Sequence, residues 1–400
     1  MLVYIDADNN LEGDGLDDFM EMASVGSTSA VNIVVQMDRT PDYASSYNNW
    51  TDTRRFYIRK NDTPSSPPVA ILGEKNMGDP AVLQDFVTWG VTHYPAEHYL
   101  LVIWNHGGGW KELQQRLASV RTAQARSAGH EAIVKEVAYD DTDADFLYMK
   151  ELQQALEASK ENVNQRYSTF VKLDIVGFDA CLMGMVEVGY ALRNTASYMV
   201  GSEELEPGSG WPYDTILRDL TANPGMSPKQ LCETIVAKYV DSYPASSDVT
   251  LSALDQSQIL TLSAGIDAFT TAAQSEWDKV KLARANARQY HPGGFSTWGT
   301  DLRAFASNVN TNATSASLRL AATALGDAVA QCVIAERHGQ GCAGSFGLAI
   351  YFPPDQASYD NDPEHSHYTQ GNAYMPVDFV QQHFWDEWLP VFYRNTANIP

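Results

Sequence analysis

Short apolar runs rich in β-branched residues alternate with stretches of helical period through residues 2 to 202, and no other feature restricts the fold as strongly. The runs at 2–6, 31–38, 54–60, 98–104, 173–179 and 198–202 predict strands. The intervening stretches 11–24, 80–93, 146–160 and 182–194 repeat their apolar residues at helical spacing, as Leu11, Leu16, Phe19, Met20 and Ala23 do. The expected fold class is therefore α/β, a layered sheet with helices on both faces. The later chain reads as more helical, with helices near 227–242, 256–285 and 316–336. An apolar strand at 346–352 follows and is stopped by Pro353-Pro354. A length of 400 residues allows one large domain or two. The segment 111–135 breaks the rhythm: Arg116, Arg121 and Arg126 stand among Gln, Ala and Ser with little periodicity, and it reads as an exposed loop or weak helix.

Charge removes several classes of partner. Asp and Glu number 50 against 27 Lys and Arg, a net charge of −23, which argues against nucleic acid or an anionic membrane surface. No run approaches the ~18 to 20 apolar residues of a membrane-spanning helix. The chain opens on Leu2-Val3-Tyr4-Ile5 without a basic leader region, so the expectation is a cytosolic protein or one whose signal has been trimmed. Four scattered cysteines, with no C-x-x-C pair, exclude a disulfide scaffold and a zinc ribbon; only Cys332 and Cys342 are spaced to bridge a short loop, a weak pointer to an oxidising compartment.

Two predicted strand ends carry reactive side chains. The first runs from Leu100 through Trp104 into Asn105-His106 and three glycines, where backbone can approach a ligand closely. The second, Asp174 through Asp179, leads into Ala180-Cys181 at an expected helix start, where the helix dipole favours a thiolate. Taken singly, a histidine before glycines is more often a turn residue than a catalyst, and Cys181 reads equally as a small buried hydrophobe. Together, a thiol, an imidazole and free backbone N–H groups at one sheet edge are the minimum set for acyl transfer through a thioester.

These residues, with Asp6-Ala7-Asp8-Asn9-Asn10-Leu11-Glu12, Asp140-Asp141-Thr142, Asp179-Ala180-Cys181-Leu182-Met183, Glu203-Glu204, Glu206-Pro207-Gly208, Gly210-Trp211 and Leu348 to Pro353, resemble the clostripain family of cysteine peptidases, in the clan of caspases, legumains and gingipains. The resemblance is dense over 1–215 and thin beyond. It implies a caspase-like α/β/α sandwich with a mixed central sheet, a catalytic domain over 1–225 and a helical region over 226–400 that contributes at least the strand 346–352. It implies Cys181 as nucleophile and His106 as its acid/base partner, with the N–H groups of Gly107 and Cys181 as the oxyanion hole. Asp179 would pair with an Arg or Lys side chain of the substrate, with Glu203, Glu204 or Glu206 adding to that acidic pocket; the alternative for Asp179 is a cap on the next helix. Family members commonly cut themselves between the histidine and the cysteine, which makes Arg116, Arg121, Arg126 and Lys135 candidate cleavage positions. The implied partners are basic protein or peptide substrates, the implied location is secreted or in a bacterial cell envelope, and no organic cofactor is required.

Three rival readings compete with this one. His106-Gly107-Gly108-Gly109 also matches the oxyanion-hole segment of α/β-hydrolase esterases, but the nearest nucleophile motif, Ala343-Gly344-Ser345-Phe346-Gly347, lacks its first glycine and leads into a strand. A binding module that has lost catalysis would not keep both His106 and Cys181. Asp6, Asp8 and Asn10, and Asp140, Asp141, Asp143 and Asp145, offer calcium ligands, yet Leu11 stands where the EF-hand loop needs glycine, and solvated acidic loops are the expectation. His365 and His367 read as surface residues.

Overall fold

The structure, a computed structural model, describes residues 1–41, 43–111, 138–166, 172–291, 297–362, 365–368 and 377–399. In chain order its strands are β1 (Leu2–Ala7), β2 (Val34–Arg39), β3 (Thr53–Tyr57), β4 (Ala70–Gly73), β5 (Leu100–Trp104), β6 (Leu173–Asp179), β7 (Ala196–Gly201), β8 (Thr250–Asp255), β9 (Gly299–Asp301), β10 (Val333–His338) and β11 (Ala349–Tyr351). Nine of them form one sheet in the order β10-β8-β7-β6-β5-β1-β2-β3-β4. The middle five, β2-β1-β5-β6-β7, are parallel, and both edges turn antiparallel. This is the expected α/β sandwich with a mixed sheet.

The parallel strands are continuous apolar runs because both of their faces are covered. Along β1, Leu2 and Tyr4 enter one apolar layer while Val3, Ile5 and Ala7 enter the other; β5 splits its residues in the same way, Leu101 and Ile103 against Leu100, Val102 and Trp104. The helices Glu12–Val25, Tyr213–Ala222 and Pro228–Ser242 cover one face, and Pro80–His93, Met149–Arg166, Val186–Leu192 and Ile259–Ala273 the other. Local signals start several of them: Asp79 accepts from the Ala81 N–H ahead of Pro80, and Ser227 and Gln230 form a reciprocal capping box.

Four readings need correction. The helix expected at 256–285 is two, Ile259–Ala273 and Trp277–Ala285. The helix expected at 316–336 stops at Cys332, where β-branched Val333 and Ile334 open β10. The strand expected at 346–352 is the shorter β11, and it pairs with β9 outside the central sheet. Since β8 and β10 join that sheet, the expected boundary at 225 runs through it. All four cysteines are free: the Cys332 thiol donates to the Asp255 carbonyl at 3.7 Å and Cys342 accepts from Arg288 at 3.2 Å. The pointer to an oxidising compartment falls with the bridge. Among the described residues no helix is long and apolar enough to cross a membrane.

Candidate active site

β5 and β6 pair in parallel with Trp104 opposite Asp179, so His106 and Cys181, each two residues further on, leave the sheet side by side. The two chains stay close beyond the ladder, since the Asn105 N–H donates to the Asp179 carbonyl at 3.3 Å. Gly107 permits this approach: a Cβ there would lie 2.2 Å from the Cys181 carbonyl oxygen and 2.8 Å from its nitrogen. His106 is buried, and its Nε2 meets Asn10 Oδ1 at 3.0 Å. Asn105 braces the histidine from behind. Its Nδ2 donates to Asp6 Oδ2 at 2.7 Å and to the Tyr139 carbonyl at 3.1 Å, and its Oδ1 accepts from the His106 backbone and from Asn9 Nδ2 at 3.2 Å. Asn9 and Asn105 were quoted above within motifs without a role, and Asn10 only as a possible calcium ligand; they become neighbours because β1 lies beside β5, which strand-by-strand reading does not reveal.

The Cys181 thiol does not sit at a helix N-terminus. The next helix begins at Val186 with Met185 as its N-cap, beyond the first-turn reach of the dipole. Burial instead pushes the thiol up to about 11, with the carboxylates of Glu204 and Asp179 adding to the effect. Its sulfur accepts from the Glu206 N–H at 3.2 Å and faces the Glu206 carbonyl at 3.7 Å. In this state the group is a protonated thiol at neutral pH, and a base must take its proton before it can attack. Leu182, directly after it, holds φ at 63°, a backbone strain of about 1–3 kcal/mol that fixes the turn carrying the sulfur.

Asp179 ends β6 pointing into a closed acidic recess. Its Oδ2 accepts from the Tyr213 hydroxyl at 2.8 Å and the Trp211 N–H at 3.2 Å, so it does not cap the following helix. Burial raises its carboxyl to about 6 against those donors. Gly210, at φ +49°, closes over it, where a Cβ would stand 2.8 Å from Oδ1. Two more carboxyls are pushed well up beside it. Asp18, held by Trp104 Nε1 at 2.6 Å, is raised by burial and by the charge of Asp179; Glu206 is raised by burial, then by Asp179 and Cys181. The Glu206 carboxyl is enclosed between Asp179 and the Trp211 side chain, and its interaction with Asp179 holds that carboxyl down while raising its own. No local motif singles out Asp18.

The other two glutamates turn elsewhere. Glu203 accepts from the Gly347 N–H at 3.1 Å and is raised by burial and by Asp301. Glu204 accepts from the His291 N–H at 3.0 Å and stands 3.9 Å from Arg288. Arg116, Arg121, Arg126 and Lys135 lie outside the described residues. Lys111, at the head of that segment, is buried against Asp362 at 2.6 Å and is no part of an exposed loop. Ser345, the serine an esterase would need, donates to the Cys342 carbonyl in the turn before β11. His365, half-buried, meets the Asp362 carbonyl at 2.9 Å. A cavity of about 520 Å³ lies at the opposite, amino ends of β1, β5 and β6, lined by Met1, His98, Asp174 and Leu220, and none of the site residues reaches it.

Comparison with known proteins adds a family. The sequence profile of the clostripain family matches residues 3–390. Clostripain of Hathewaya histolytica is 32% identical over 250 residues, which take in 56% of this chain and 42% of that protein, so the match spans less than half of the relative's length. Among solved structures, a secreted C11 cysteine protease from Bacteroides thetaiotaomicron, in complex with an irreversible peptide inhibitor, superposes with a TM-score of 0.67 at 22% identity, over 96% of this chain and 98% of the other. An inactive zymogen C11 protease from Parabacteroides distasonis gives 0.61 at 21% identity, over 90% and 92%. At these identities the two structures establish the shared fold.

Proposed function

Since the chain belongs to the clostripain family of cysteine peptidases, we propose that it cleaves peptide bonds after arginine or lysine, with Cys181 as nucleophile and His106 as its acid/base partner. The observation that carries this reading is the recess beside the thiol, in which the carboxyls of Asp179, Asp18 and Glu206 are crowded together and raise one another. A guanidinium or ammonium group entering there would restore the charged forms of these carboxyls and be held by charge-assisted hydrogen bonds.

The imidazole of His106 takes the thiol proton, and the sulfur attacks the scissile carbonyl carbon. The N–H groups of Gly107 and Cys181 receive the oxyanion, a contribution of roughly 3 kcal/mol per donor. Collapse breaks the C–N bond, the imidazolium protonates the leaving amine, and a thioester remains. Water, deprotonated by His106, then releases the carboxylic acid and the thiol. The sequence of steps needs no cofactor. Before it begins, the thiol must leave its contact with Glu206. Self-cleavage after Arg116, Arg121, Arg126 or Lys135 is the event we assign to that release, and export from the cell is inferred on the likeness to the secreted relative. An intact-mass measurement showing an uncut yet active chain would remove the self-cleavage step.

The deciding assay is release of a fluorogenic amine from short peptides ending in Arg, Lys, Asp or Leu, with wild type beside Cys181→Ala, His106→Ala and Asp179→Ala. Turnover of Arg or Lys peptides alone, abolished by Cys181→Ala and His106→Ala and weakened by Asp179→Ala, is expected. Activity that survives Cys181→Ala would end the proposal.

A further inference from the structure

His106 follows β5, which lies between β1 on one side and β6 on the other, so its ring is flanked by the loop after β1 and by the Cys181 turn after β6. The loop after β1 reaches it through Asn10, whose Oδ1 meets Nε2 at 3.0 Å. An amide oxygen carries no hydrogen and can only accept, so the ring nitrogen must be the donor. A neutral imidazole has one N–H. With that hydrogen on Nε2, the lone pair that can take a proton lies on Nδ1. The two ring nitrogens point in diverging directions, and a ring whose Nε2 is turned toward β1 offers Nδ1 away from it, on the side of β6 and the thiol.

Asn10 is presented from a firm base. Before it, Asn9 is fully buried, and its Nδ2 donates to the Asp6 carbonyl at 3.1 Å and to the Tyr139 carbonyl at 2.9 Å. After it, the Leu11 N–H donates to Asn9 Oδ1 at 2.8 Å and the Glu12 N–H to the Asn9 carbonyl at 3.1 Å, which closes the turn leading into the helix Glu12–Val25. Glu12 is itself fixed by Arg39 Nε at 2.7 Å and by the Ala44 N–H at 2.6 Å. Asn10 is exposed, so replacing its side chain opens no cavity in the core.

We propose that Asn10 is the positioning residue of His106: it holds the imidazole in the tautomer with hydrogen on Nε2, which makes Nδ1 the atom that takes the Cys181 proton and later gives it to the leaving amine. The inference rests on the peptidase reading above for the reaction, and on the contact itself for the tautomer. During attack the proton passes from Sγ to Nδ1, and both ring nitrogens then carry hydrogen. Asn10 Oδ1 goes on accepting from Nε2 and stabilises the imidazolium until Nδ1 releases its proton to the amine as the C–N bond breaks. Without that acceptor the ring can turn and populate the other tautomer, whose Nδ1–H cannot take a proton.

Nitrogen-15 NMR of the histidine-labelled full chain at pH 8 tests the tautomer, in the Cys181→Ala background so that neither turnover nor an ion pair with the thiolate enters. The His106 signals are identified by their loss in His106→Gln. The Nε2–H form is expected with Asn10 present, and a mixture of both forms in Asn10→Ala. Kinetics on an arginine peptide, with Cys181 intact, test the consequence. Asn10→Ala should lower kcat roughly ten- to hundredfold with KM changed by less than about threefold, while Asn10→Asp, which keeps an acceptor oxygen at the same reach, should recover most of the loss. An Nδ1–H form in the presence of Asn10, the same tautomer ratio in Asn10→Ala, an unchanged kcat in that variant, or equal losses in the alanine and aspartate variants would overturn the assignment. Silence of wild type on every peptide would count against the peptidase reading instead, and the tautomer measurement would still decide the contact.

Discussion

Asp179 is a carboxyl whose surroundings work against its charge. Desolvation lifts it to about 6, against hydrogen bonds with the Tyr213 hydroxyl, the Trp211 N–H and the Glu206 carboxyl. If Asp179 receives the basic side chain as proposed, the acid limb of kcat/KM on an arginine peptide should follow Asp179 in the free protein. Below about 6 the carboxyl binds a proton and would lose its claim on the guanidinium, and Asp18 and Glu206, whose carboxyls burial also raises, would add to the fall. Asp179→Asn should lower kcat/KM for Arg and Lys peptides by about 2 to 5 kcal/mol, at least about thirtyfold, and change the acid limb of the profile. The same variant should gain stability at pH 8. A carboxyl raised in the folded state stabilises below its unfolded value of about 3.9 and loses that contribution as pH rises through its folded value. Urea denaturation showing Asp179→Asn weaker than wild type at pH 8 would contradict this.

At the level of elements, the site is the meeting of two strand ends, and Gly107 sets their separation. Gly107→Ala places a methyl group against Cys181 backbone rather than against a yielding side chain, so the β5 and β6 ends must part. A shift near 1 Å at the reacting groups is expected to cost about a hundredfold in kcat, with the fold retained by circular dichroism. The parallel strands that build this junction were legible because burial on both faces leaves an unbroken apolar signature. The edge strands were not: β10 is half-buried over most of its length, and β4 is mostly exposed or half-buried, so neither carries that signature. His106 and Cys181 were legible as motifs at strand ends. The places of Asp18, Asn9 and Asn10 beside the site were not legible because they depend on β1 lying next to β5, a fact of sheet order that no local pattern encodes. Asn105→Ala, which removes the brace shared by Asp6, Asn9 and His106, should lower kcat more than KM. An equal loss in Asn105→Ala at every pH would mark a simple positional effect on the histidine.

At the scale of the whole molecule, among the described residues, carboxyls buried with raised affinity for protons outnumber those held down by cations. Glu187, enclosed by the Tyr368 hydroxyl at 2.6 Å and the Tyr351 N–H at 2.9 Å, is lifted by burial to about 7, and Asp301 and Asp179 each to about 6. Against them stands Asp378, lowered by its bonds to Lys150, Arg193 and Gln153. Between pH 4 and 7 the folded chain therefore binds more protons than the unfolded one at the raised sites, and stability falls as pH rises through that window. A net charge of −23 acts in the same direction, since protonation relieves self-repulsion. Tm should climb as pH is lowered from 8 toward 5, then turn down at lower pH as Asp378 loses its charge and its ion pairs. Glu187→Gln keeps an acceptor for Tyr368 and Tyr351 but no longer titrates, so it should melt higher than wild type at pH 8 and show a shallower climb. If Tm stays level from pH 8 to 5, or the Glu187→Gln curve runs parallel to wild type, the buried carboxyls are not what sets the acid response of the fold.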